Sequence, residues 1–399
     1  MTPEFEGYLS DESRTLGRAE GIAFPKNEEE LCQVLRLCSE KDLPVTAQGG
    51  RTGLAGGASP QGGVILNLSR MNRLKGLRRE GDRLLLRVEP GVLLSQVRKA
   101  LQTKSFDLRG WDEASIEALR EVKPGEWFFS PDPTEPTATL GGMAACNASG
   151  ARSFLYGATR AHIAGLRVVL ADGRVTALQR GRDRAEGRRF TLPLEGGGAL
   201  TGELPGFDTP AIKDAGFFLR QNMDLVDLFI GSQGTLGVIS ELEVELTRAP
   251  KLLWGVTAFL PDNAAALRYV SALKGRESGL AAPMHPAAIE FFDRHALDMV
   301  QAQKAETPAF AQLQELPEHY ECAVYCEFNT MEESSFLPTL RTVGALVEAV
   351  GGDTSRTWVA RDERELEKLL FFRHSVPETI DLIVAKNQKN EPCITILST

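Results

Sequence analysis

A short loop with five glycines, at positions 49, 50, 53, 56 and 57, forms the first candidate binding site in this chain. The stretch from Leu43 to Leu68 reads LPVTAQGGRTGLAGGASPQGGVILNL. Glycine tolerates positive φ and lets a ligand approach main-chain N–H groups closely, and successive N–H groups that point inward bind anions. Arg51 and Thr52 add a charge and a hydroxyl group to the same loop. The pattern predicts a phosphate or pyrophosphate site, although an ordinary turn between two strands has a similar composition.

The loop differs from the two common phosphate-binding signatures. It does not end in Gly-Lys-Ser/Thr, so it is not a P-loop. A dinucleotide fingerprint would open a helix, whereas here the β-branched run Val64–Ile65–Leu66 predicts a strand. The backbone itself is therefore the expected anion-binding group.

Two further glycine-rich segments lie downstream. Between Phe129 and Val175, three prolines precede Gly141-Gly142, and a short helical turn is expected from Met143 to Asn147. A third segment, GSQGTLG, enters a predicted strand at Val238. One glycine loop is weak evidence, but three loops beside strands suit a long ligand such as FAD, with its pyrophosphate, ribityl chain and flat ring. Side-chain hydrogen bonds to it are expected from Asp132, Thr139, Asn147 and Ser149.

The elements around these loops predict two domains. A helix should begin after the N-cap Asn27, and the turn Asp172-Gly173 should join two strands of a hairpin. Residues 111–124 are expected to form a surface excursion. After Pro250 longer helical patterns alternate with strands. We therefore expect one domain over 1–249, with an insertion near 180–207, and a second over 250–399.

Composition narrows the function classes. The chain has 399 residues, is 42% hydrophobic and has a formal net charge of -9, without a Lys/Arg-rich block, so nucleic acid is not an expected partner. The six cysteines have no zinc or CxxC spacing, which favours reduced thiols. The polar, acidic N-terminus is unlike a signal peptide. These features predict a soluble cytoplasmic protein, and leave open a peripheral attachment to the inner face of the membrane.

The three motifs, in their order along the chain, resemble a known flavoprotein family. AQGGRTGLAGGA, DPTEPTATLGGMAACNASGARSFLYGATR and IGSQGTLGVI are similar to the FAD-binding domain of the vanillyl-alcohol oxidase / p-cresol methylhydroxylase flavoproteins. The similarity is greatest to the branch of D-lactate dehydrogenase, the glycolate oxidase FAD subunit and D-2-hydroxyglutarate dehydrogenase, over roughly Phe24 to Leu246. It implies an α+β fold, in which a two-subdomain FAD-binding domain precedes an incomplete α+β substrate (cap) domain.

The resemblance also implies which residues bind FAD. Family members that attach FAD covalently at the first loop have a His there, so Arg51 implies non-covalent FAD. Tyr156-Gly157 matches a family pair expected to pack, and His162 is expected to be structural. The implied cofactor-binding positions are Gly49, Gly50, Arg51, Thr52, Gly53, Asp132, Thr139, Gly142, Asn147, Ser149, Gly150, Gly234, Thr235, Leu236, Gly237 and Ile239.

The reaction implied by the resemblance is oxidation of a D-2-hydroxy acid of the lactate, glycolate or 2-hydroxyglutarate type. Hydride passes to flavin N5, and a quinone, a cytochrome or an electron-transfer protein takes the electrons. The segment LLFFRHSVPE resembles the family segment whose Arg binds the substrate carboxylate, which makes Arg373 the candidate. An arginine closing a helix is the alternative. His374 would point elsewhere on a helix, so it is not the expected base.

Several residues that this family resemblance leads us to expect have no counterpart in the chain. The family Lys that follows the Arg-bearing helix is missing from Ile394 to Thr399, and the five His residues form no HxxxH or HxH pair, so no metal site is predicted. The chain stops just after a predicted strand, Cys393–Leu397, which favours truncation. Two alternatives therefore remain: a non-catalytic or truncated FAD-binding subunit, and a redox-neutral flavoenzyme of the alkylglycerone-phosphate synthase type. The sequence also leaves open a homodimer or a hetero-oligomer.

Overall fold

The structure, a computed structural model, describes residues 3–133, 135–210, 216–276, 284–306, 308–311 and 313–387. The chain divides into two compact units. The first comprises Met1–Gly150 and Gly157–Ala249, and the second comprises Ala151–Tyr156 and Pro250–Thr399. A six-residue segment from the middle of the first unit thus belongs to the second.

The first unit is a mixture of strands and helices. Its strands are β1 (Gly21–Ala23), β2 (Val45–Gln48), β3 (Val64–Asn67), β4 (Leu74–Glu80), β5 (Arg83–Val88), β6 (Trp127–Phe128), β7 (Ile163–Val169), β8 (Val175–Gln179), β9 (Arg189–Pro193), β10 (Ala199–Glu203) and β11 (Val238–Arg248). Its helices are α1 (Glu28–Glu40), α2 (Leu94–Thr103), α3 (Glu113–Glu121), α4 (Leu140–Cys146) and α6 (Val226–Phe229), while α5 (Ser153–Tyr156) belongs to the second unit.

Two sheets organise this unit. Strands β1, β3 and β2 form a parallel sheet in that order, and a hydrophobic cluster that includes Leu31 and Leu35 of α1 packs beside it. Strands β4, β5, β11, β7 and β8 form a larger antiparallel sheet, with β6 paired to the end of β11. The larger sheet shares its core with α2, α3 and α4. The predicted α+β class is confirmed.

Local chemistry accounts for several element boundaries. Asn27 caps α1, since its side chain accepts a hydrogen bond from the backbone N–H of Glu30 at 2.9 Å. Gly173, with φ of 78°, closes the turn between β7 and β8, in which Val169 pairs with Val175. Both features agree with the sequence-based prediction.

Two expectations for the first unit are wrong in detail. Residues 111–124 contain α3 in place of a surface excursion, and the indole Nε1 of buried Trp111 donates to the carbonyl of Leu74 at 2.6 Å. Helix α4 begins at Leu140, ahead of the expected Met143, because Thr139 caps it by accepting from the N–H of Gly142. The segment 180–207, for which an insertion is expected, contains the hairpin of β9 and β10.

The second unit is a four-stranded antiparallel sheet with helices. Its strands are β12 (Leu252–Leu260), β13 (Ala288–Asp293), β14 (Cys322–Thr330) and β15 (Trp358–Ala360), in the order β13-β14-β12-β15. Its longer helices are α7 (Asn263–Leu273), α8 (Arg294–Glu306), α9 (Phe336–Ala349) and α10 (Glu363–Asn387). The strand expected at Cys393–Leu397 lies outside the described residues.

Both faces of this sheet are covered. Trp254 and Val256 belong to a cluster with residues of α7 and α9, whereas Phe259 and Tyr325 belong to a cluster with residues of α8 and α10. Strand β14 is therefore buried along almost its whole length, which explains its continuous apolar pattern. Among the described helices, none is both long and apolar enough to cross a membrane.

Candidate functional site

The first and second glycine segments meet in the first unit. A Cβ at Gly49 would overlap the Oγ1 atom of Thr139, and a Cβ at Gly50 would lie 2.6 Å from the carbonyl oxygen of Thr137. Glycine is favoured at both positions because the Thr139 side chain at Gly49, and the Thr137 backbone at Gly50, leave no room for a Cβ. The first loop therefore lies directly against the N-terminus of α4.

The third glycine segment joins the same cluster. The N–H of Gly231 donates to the carbonyl of Ala144 at 3.0 Å, and the N–H of Gln233 donates to the carbonyl of Ala145 at 2.8 Å. A Cβ at Gly234 would lie 3.4 Å from the Cβ of Ala47, at the end of β2. The three segments thus converge at the ends of β2, α4 and β11, and form a continuous set of backbone turns.

The first loop has the donors that an anion requires. None of the backbone N–H groups of residues 49–53 donates a hydrogen bond to another described residue. Residues 49–52 are only partly exposed, and unpaired amides in such a place are unfavourable unless a ligand or water accepts from them. The loop geometry therefore fits a pyrophosphate.

The second segment adds one further unpaired donor. Asn147 ends α4 with φ of 48°, and its Oδ1 accepts from the N–H of Arg160 at 2.9 Å. Its Nδ2 is buried and has no hydrogen-bond partner among the described residues. A buried amide of this kind gains by donating to a ligand, so Asn147 fits a role in holding FAD.

Other predicted positions have structural partners. The Asp132 carboxylate forms an ion pair with Arg98 of α2, and a Cβ at Gly150 would overlap the carbonyl oxygen of Asp132. The hydroxyl group of Thr235 donates to the carbonyl of Ser232 at 2.6 Å. The side chain of Ile239 is buried in the core of the larger sheet. These residues shape the site, and any contact with FAD would come mainly from their backbone.

Arg51 is directed toward the N-terminal segment. Its guanidinium lies 4.4 Å from the centroid of the Tyr8 ring and donates to the carbonyl of Gly7. Its backbone adopts φ of 60°. The charge predicted for this loop is therefore engaged by the segment Pro3–Tyr8.

The ring of His162 contacts other side chains of the first unit. Its ring nitrogens lie 3.1 and 3.4 Å from the hydroxyl oxygen of Ser130, which accepts from Thr247, and its ring packs edge-on against Phe129. These contacts favour the structural role expected from the sequence. No group of three His, Cys, Asp or Glu side chains in the described part of the chain is placed to hold a metal ion.

Arg373 is buried on α10 within the second unit. Its Nε donates to Oε2 of Glu290 on β13 at 2.6 Å, and its Nη1 lies 3.3 Å from the Nε2 of His374. The alternative of a surface arginine at a helix C-terminus is wrong, because α10 continues well past Arg373 and only 6% of the residue is exposed. A buried arginine paired with one carboxylate is a suitable cation for a substrate anion.

A second buried ion pair lies on the same unit. Arg152 donates from Nε to Oε2 of Glu327 at 2.7 Å, and the hydroxyl group of Tyr325 donates to Oε1 of Glu327 at 2.7 Å. Burial, followed by the charge of Glu327, raises the pKa of Tyr325 well above its ordinary value. Tyr325 therefore acts as a hydrogen-bond donor, while Tyr156 accepts from Asn329.

Sequence reasoning missed most of this polar cluster. The only local signal is an acidic residue inside an otherwise apolar strand, Glu327 in CAVYCEF. Glu290 and Arg152 lie far from it in sequence, so only the fold brings them together. Arg160, the last residue of the second motif, was not among the predicted site positions, although it contacts the start of the third glycine segment.

Family comparisons match both halves of the chain. Residues 19–110 and 114–179 match the family described as FAD binding domain, and residues 256–398 match the family described as FAD linked oxidases, C-terminal domain.

Curated proteins that are similar to this chain have related names, and their sequence identity to it is modest. The chain is 28% identical over 284 residues to the glycolate oxidase subunit GlcD of Bacillus subtilis, which covers 71% of this chain and 47% of that protein. It is 31% identical over 249 residues to a D-lactate dehydrogenase of Anaerostipes hadrus, covering 62% and 40%. It is 32% identical over 259 residues to a D-2-hydroxyglutarate dehydrogenase of Pantoea ananatis, covering 58% and 23%. The chain thus spans half or less of the length of these relatives.

Solved structures share the fold. An alkyldihydroxyacetonephosphate synthase superposes with a TM-score of 0.57 at 16% identity, covering 91% of this chain and 59% of that chain. A carbohydrate oxidase from Microdochium nivale superposes with a TM-score of 0.58 at 16% identity, covering 92% and 60%. At this identity the likeness concerns the fold alone.

Proposed function

Because the chain belongs to the FAD-linked oxidases, we propose that it oxidises a D-2-hydroxy acid and passes the electrons to a separate acceptor. FAD would supply the redox chemistry by accepting a hydride from the carbon that bears the hydroxyl group. The observation that carries the proposal is the convergence of three glycine segments around backbone amides that have no acceptor in the described part of the chain. The relatives named for lactate, glycolate and 2-hydroxyglutarate supply the substrate class.

The FAD site of this proposal is built mainly from backbone. The amides of residues 49–53 would bind the pyrophosphate, and Asn147 Nδ2 would donate to a polar atom of the nucleotide. Gly234 and the second segment would allow the close approach of the ring and the ribityl chain, whereas Gly237 makes room for Val168 of β7. Because Arg51 stands where covalently flavinylated family members have a His, non-covalent binding is expected.

The substrate site of this proposal lies in the second unit. Arg373 would bind the carboxylate, because a guanidinium forms strong charge-assisted hydrogen bonds with a carboxylate. Glu290 would hold the guanidinium through its 2.6 Å contact with Nε. The acceptor would be a quinone, a cytochrome or an electron-transfer protein, and a membrane-bound acceptor would place the protein at the inner face of the membrane.

Spectroscopy of the purified chain tests the proposal. The protein should be yellow or take up added FAD, and acid precipitation should release the flavin into the supernatant. Anaerobic addition of D-lactate, glycolate or D-2-hydroxyglutarate should bleach the flavin absorption. A chain that binds FAD but is bleached by none of these acids would support the non-catalytic subunit, and a chain that takes up no FAD would refute both.

A variant pair tests the assignment of Arg373. Arg373→Met should leave FAD uptake intact and lower the rate of bleaching by about 100-fold or more, since charged hydrogen bonds contribute about 1.5–3 kcal/mol each. Arg361→Met changes an exposed arginine just before the same helix and should behave as wild type. Equal rates in the two variants would remove Arg373 from the substrate site.

A further inference from the structure

An arginine at the end of the second glycine segment contacts both Asn147 of that segment and the start of the third segment. Arg160 follows Thr159 in a short 3-10 helix, and its backbone N–H donates to Oδ1 of Asn147 at 2.9 Å. Its guanidinium Nη2 donates to the carbonyl of Ile230 at 2.7 Å, immediately before Gly231. The residue therefore joins the end of α4 to the start of the third glycine segment.

A buried carboxylate holds this guanidinium in place. Nη1 of Arg160 donates to the backbone carbonyl of Asp227 at 2.8 Å and lies 3.2 Å from its Oδ1. Asp227 also accepts from Arg180, at 2.7 Å on Oδ1 and 3.0 Å on Oδ2. One face of the Arg160 guanidinium lies 4.5 Å from the centroid of the Phe218 ring. The side chain is thus fixed by hydrogen bonds and by an aromatic face.

The third segment depends on this arrangement. Gly231 has φ of 81°, and a Cβ at this position would lie 3.3 Å from Nη2 of Arg160. A glycine there lets the chain turn while its preceding carbonyl faces the guanidinium. The next residues then dock on the carbonyls of Ala144 and Ala145, which places Gly234 beside the first loop.

We infer that Arg160 is a positioning residue for the FAD site, which sets the third glycine segment against α4 and is itself held by Asp227. The inference rests on the proposed function, because FAD is the ligand whose binding it affects. The guanidinium has a planar fork that reaches three acceptors at once, on Asp227 and Ile230. A lysine keeps the charge beside Asp227 but, as a point charge on a flexible stem, does not reproduce this geometry.

The test compares FAD affinity with protein stability. Arg160→Lys and Arg160→Met are purified as apoprotein, FAD is titrated with flavin fluorescence, and thermal midpoints are measured without FAD. We expect the lysine variant to keep a midpoint close to wild type while its Kd for FAD rises about tenfold, with a larger rise for the methionine variant. The visible circular dichroism of the bound flavin should change in both, because the ring environment changes.

Two control variants separate positioning from general destabilisation. Arg220→Met removes another arginine near the same Phe218 ring, at 5.1 Å, and should bind FAD as wild type. Leu119→Ala removes a buried side chain of α3 and should lower the midpoint with little change in Kd. The inference is wrong if Arg160→Lys and Arg160→Met bind FAD as wild type, or if Leu119→Ala loses as much affinity. A wild-type chain that binds no FAD would refute the proposed function itself.

Discussion

Arg152 and Glu327 form an ion pair inside the second unit, with 2.7 Å between Nε of the arginine and Oε2 of the glutamate. Glu327 has no exposed surface. A carboxylate in such a place is unfavourable by several kcal/mol unless it is paired and hydrogen-bonded. Here Arg152 supplies the charge and Tyr325 supplies the second hydrogen bond.

Removing Arg152 alone should therefore destabilise the second unit. We expect Arg152→Met to lower the free energy of unfolding of the second unit by about 3 kcal/mol, because it leaves a buried charge without its cation. The double variant Arg152→Met/Glu327→Leu should recover at least half of that loss. Urea unfolding followed by fluorescence measures both. Arg361→Met is the control, and a loss no larger than in this exposed variant would contradict the prediction.

Two glycines of the first and second segments, Gly49 and Gly150, should be important for FAD binding. Gly49→Ala places a methyl group against Thr139, and Gly150→Ala places one against the carbonyl of Asp132. Overlap of this kind typically costs about 1–3 kcal/mol, so the Kd for FAD should rise about 10- to 100-fold. Gly206→Ala, which meets open space, should bind FAD as wild type. Equal titration curves for all three variants would argue against the convergence as the binding site.

Arg51 should contribute less to the affinity for FAD than its position in the loop suggests. Its guanidinium lies against Tyr8 and Gly7, so Arg51→Met should raise the Kd by less than about threefold, in the range of an exposed interaction. Tyr8→Ala should have an effect of similar size, because it releases the same side chain. Isothermal titration with FAD measures both, and a rise above about 30-fold for Arg51→Met would indicate a direct phosphate contact.

The stability of the first unit should depend on pH through Glu28 at the start of α1. Burial by itself would raise the pKa of this carboxyl, but hydrogen bonds from Arg167 and Ser240, with the charge of Arg167, lower it below 4.5. A lowered pKa means stability that is present above about pH 4.5 and lost as the pH falls through the folded-state value. The half-buried pair should contribute about 1 kcal/mol at pH 7.

Comparing two glutamine variants measures this contribution. Glu28→Gln should be less stable than wild type at pH 7, and the difference should shrink as the pH falls below 4.5. Glu29→Gln, in the same turn but exposed, should match wild type throughout. A difference for Glu28→Gln that persists unchanged at pH 3 would assign the loss to packing.

The sequence predicted those parts of the fold whose cause is local. Asn27 caps α1, and Asp172-Gly173 closes the hairpin of β7 and β8, because both effects depend on neighbouring residues. The family and the FAD-binding domain were predicted from the three glycine motifs, since the order of such motifs is visible in one sequence.

The missed parts depend on distant contacts. Helix α4 includes Gly141 and Gly142, which disfavour helix, but a Cβ at Gly141 would lie 2.5 Å from the Cβ of Pro90. Thr139 caps the start of this helix, and the close packing on Pro90, some 50 positions away, explains why Gly141 has no side chain. Residues 111–124 are polar in composition, and α3 is part of the core because Ala118 and Leu119, together with Trp111 just before the helix, are buried in the cluster of the larger sheet.

The segment Ala151–Tyr156 belongs to the second unit although it lies within the first unit in sequence. This limits where the chain can be cut into stable fragments. A chain cut at Pro250 would separate its C-terminal half from Arg152, the cation paired with Glu327. Such a fragment should express poorly unless that glutamate is made apolar, for example as Glu327→Leu. The two halves are therefore poor units for shuffling among relatives, because the downstream half depends on an arginine that the upstream half encodes.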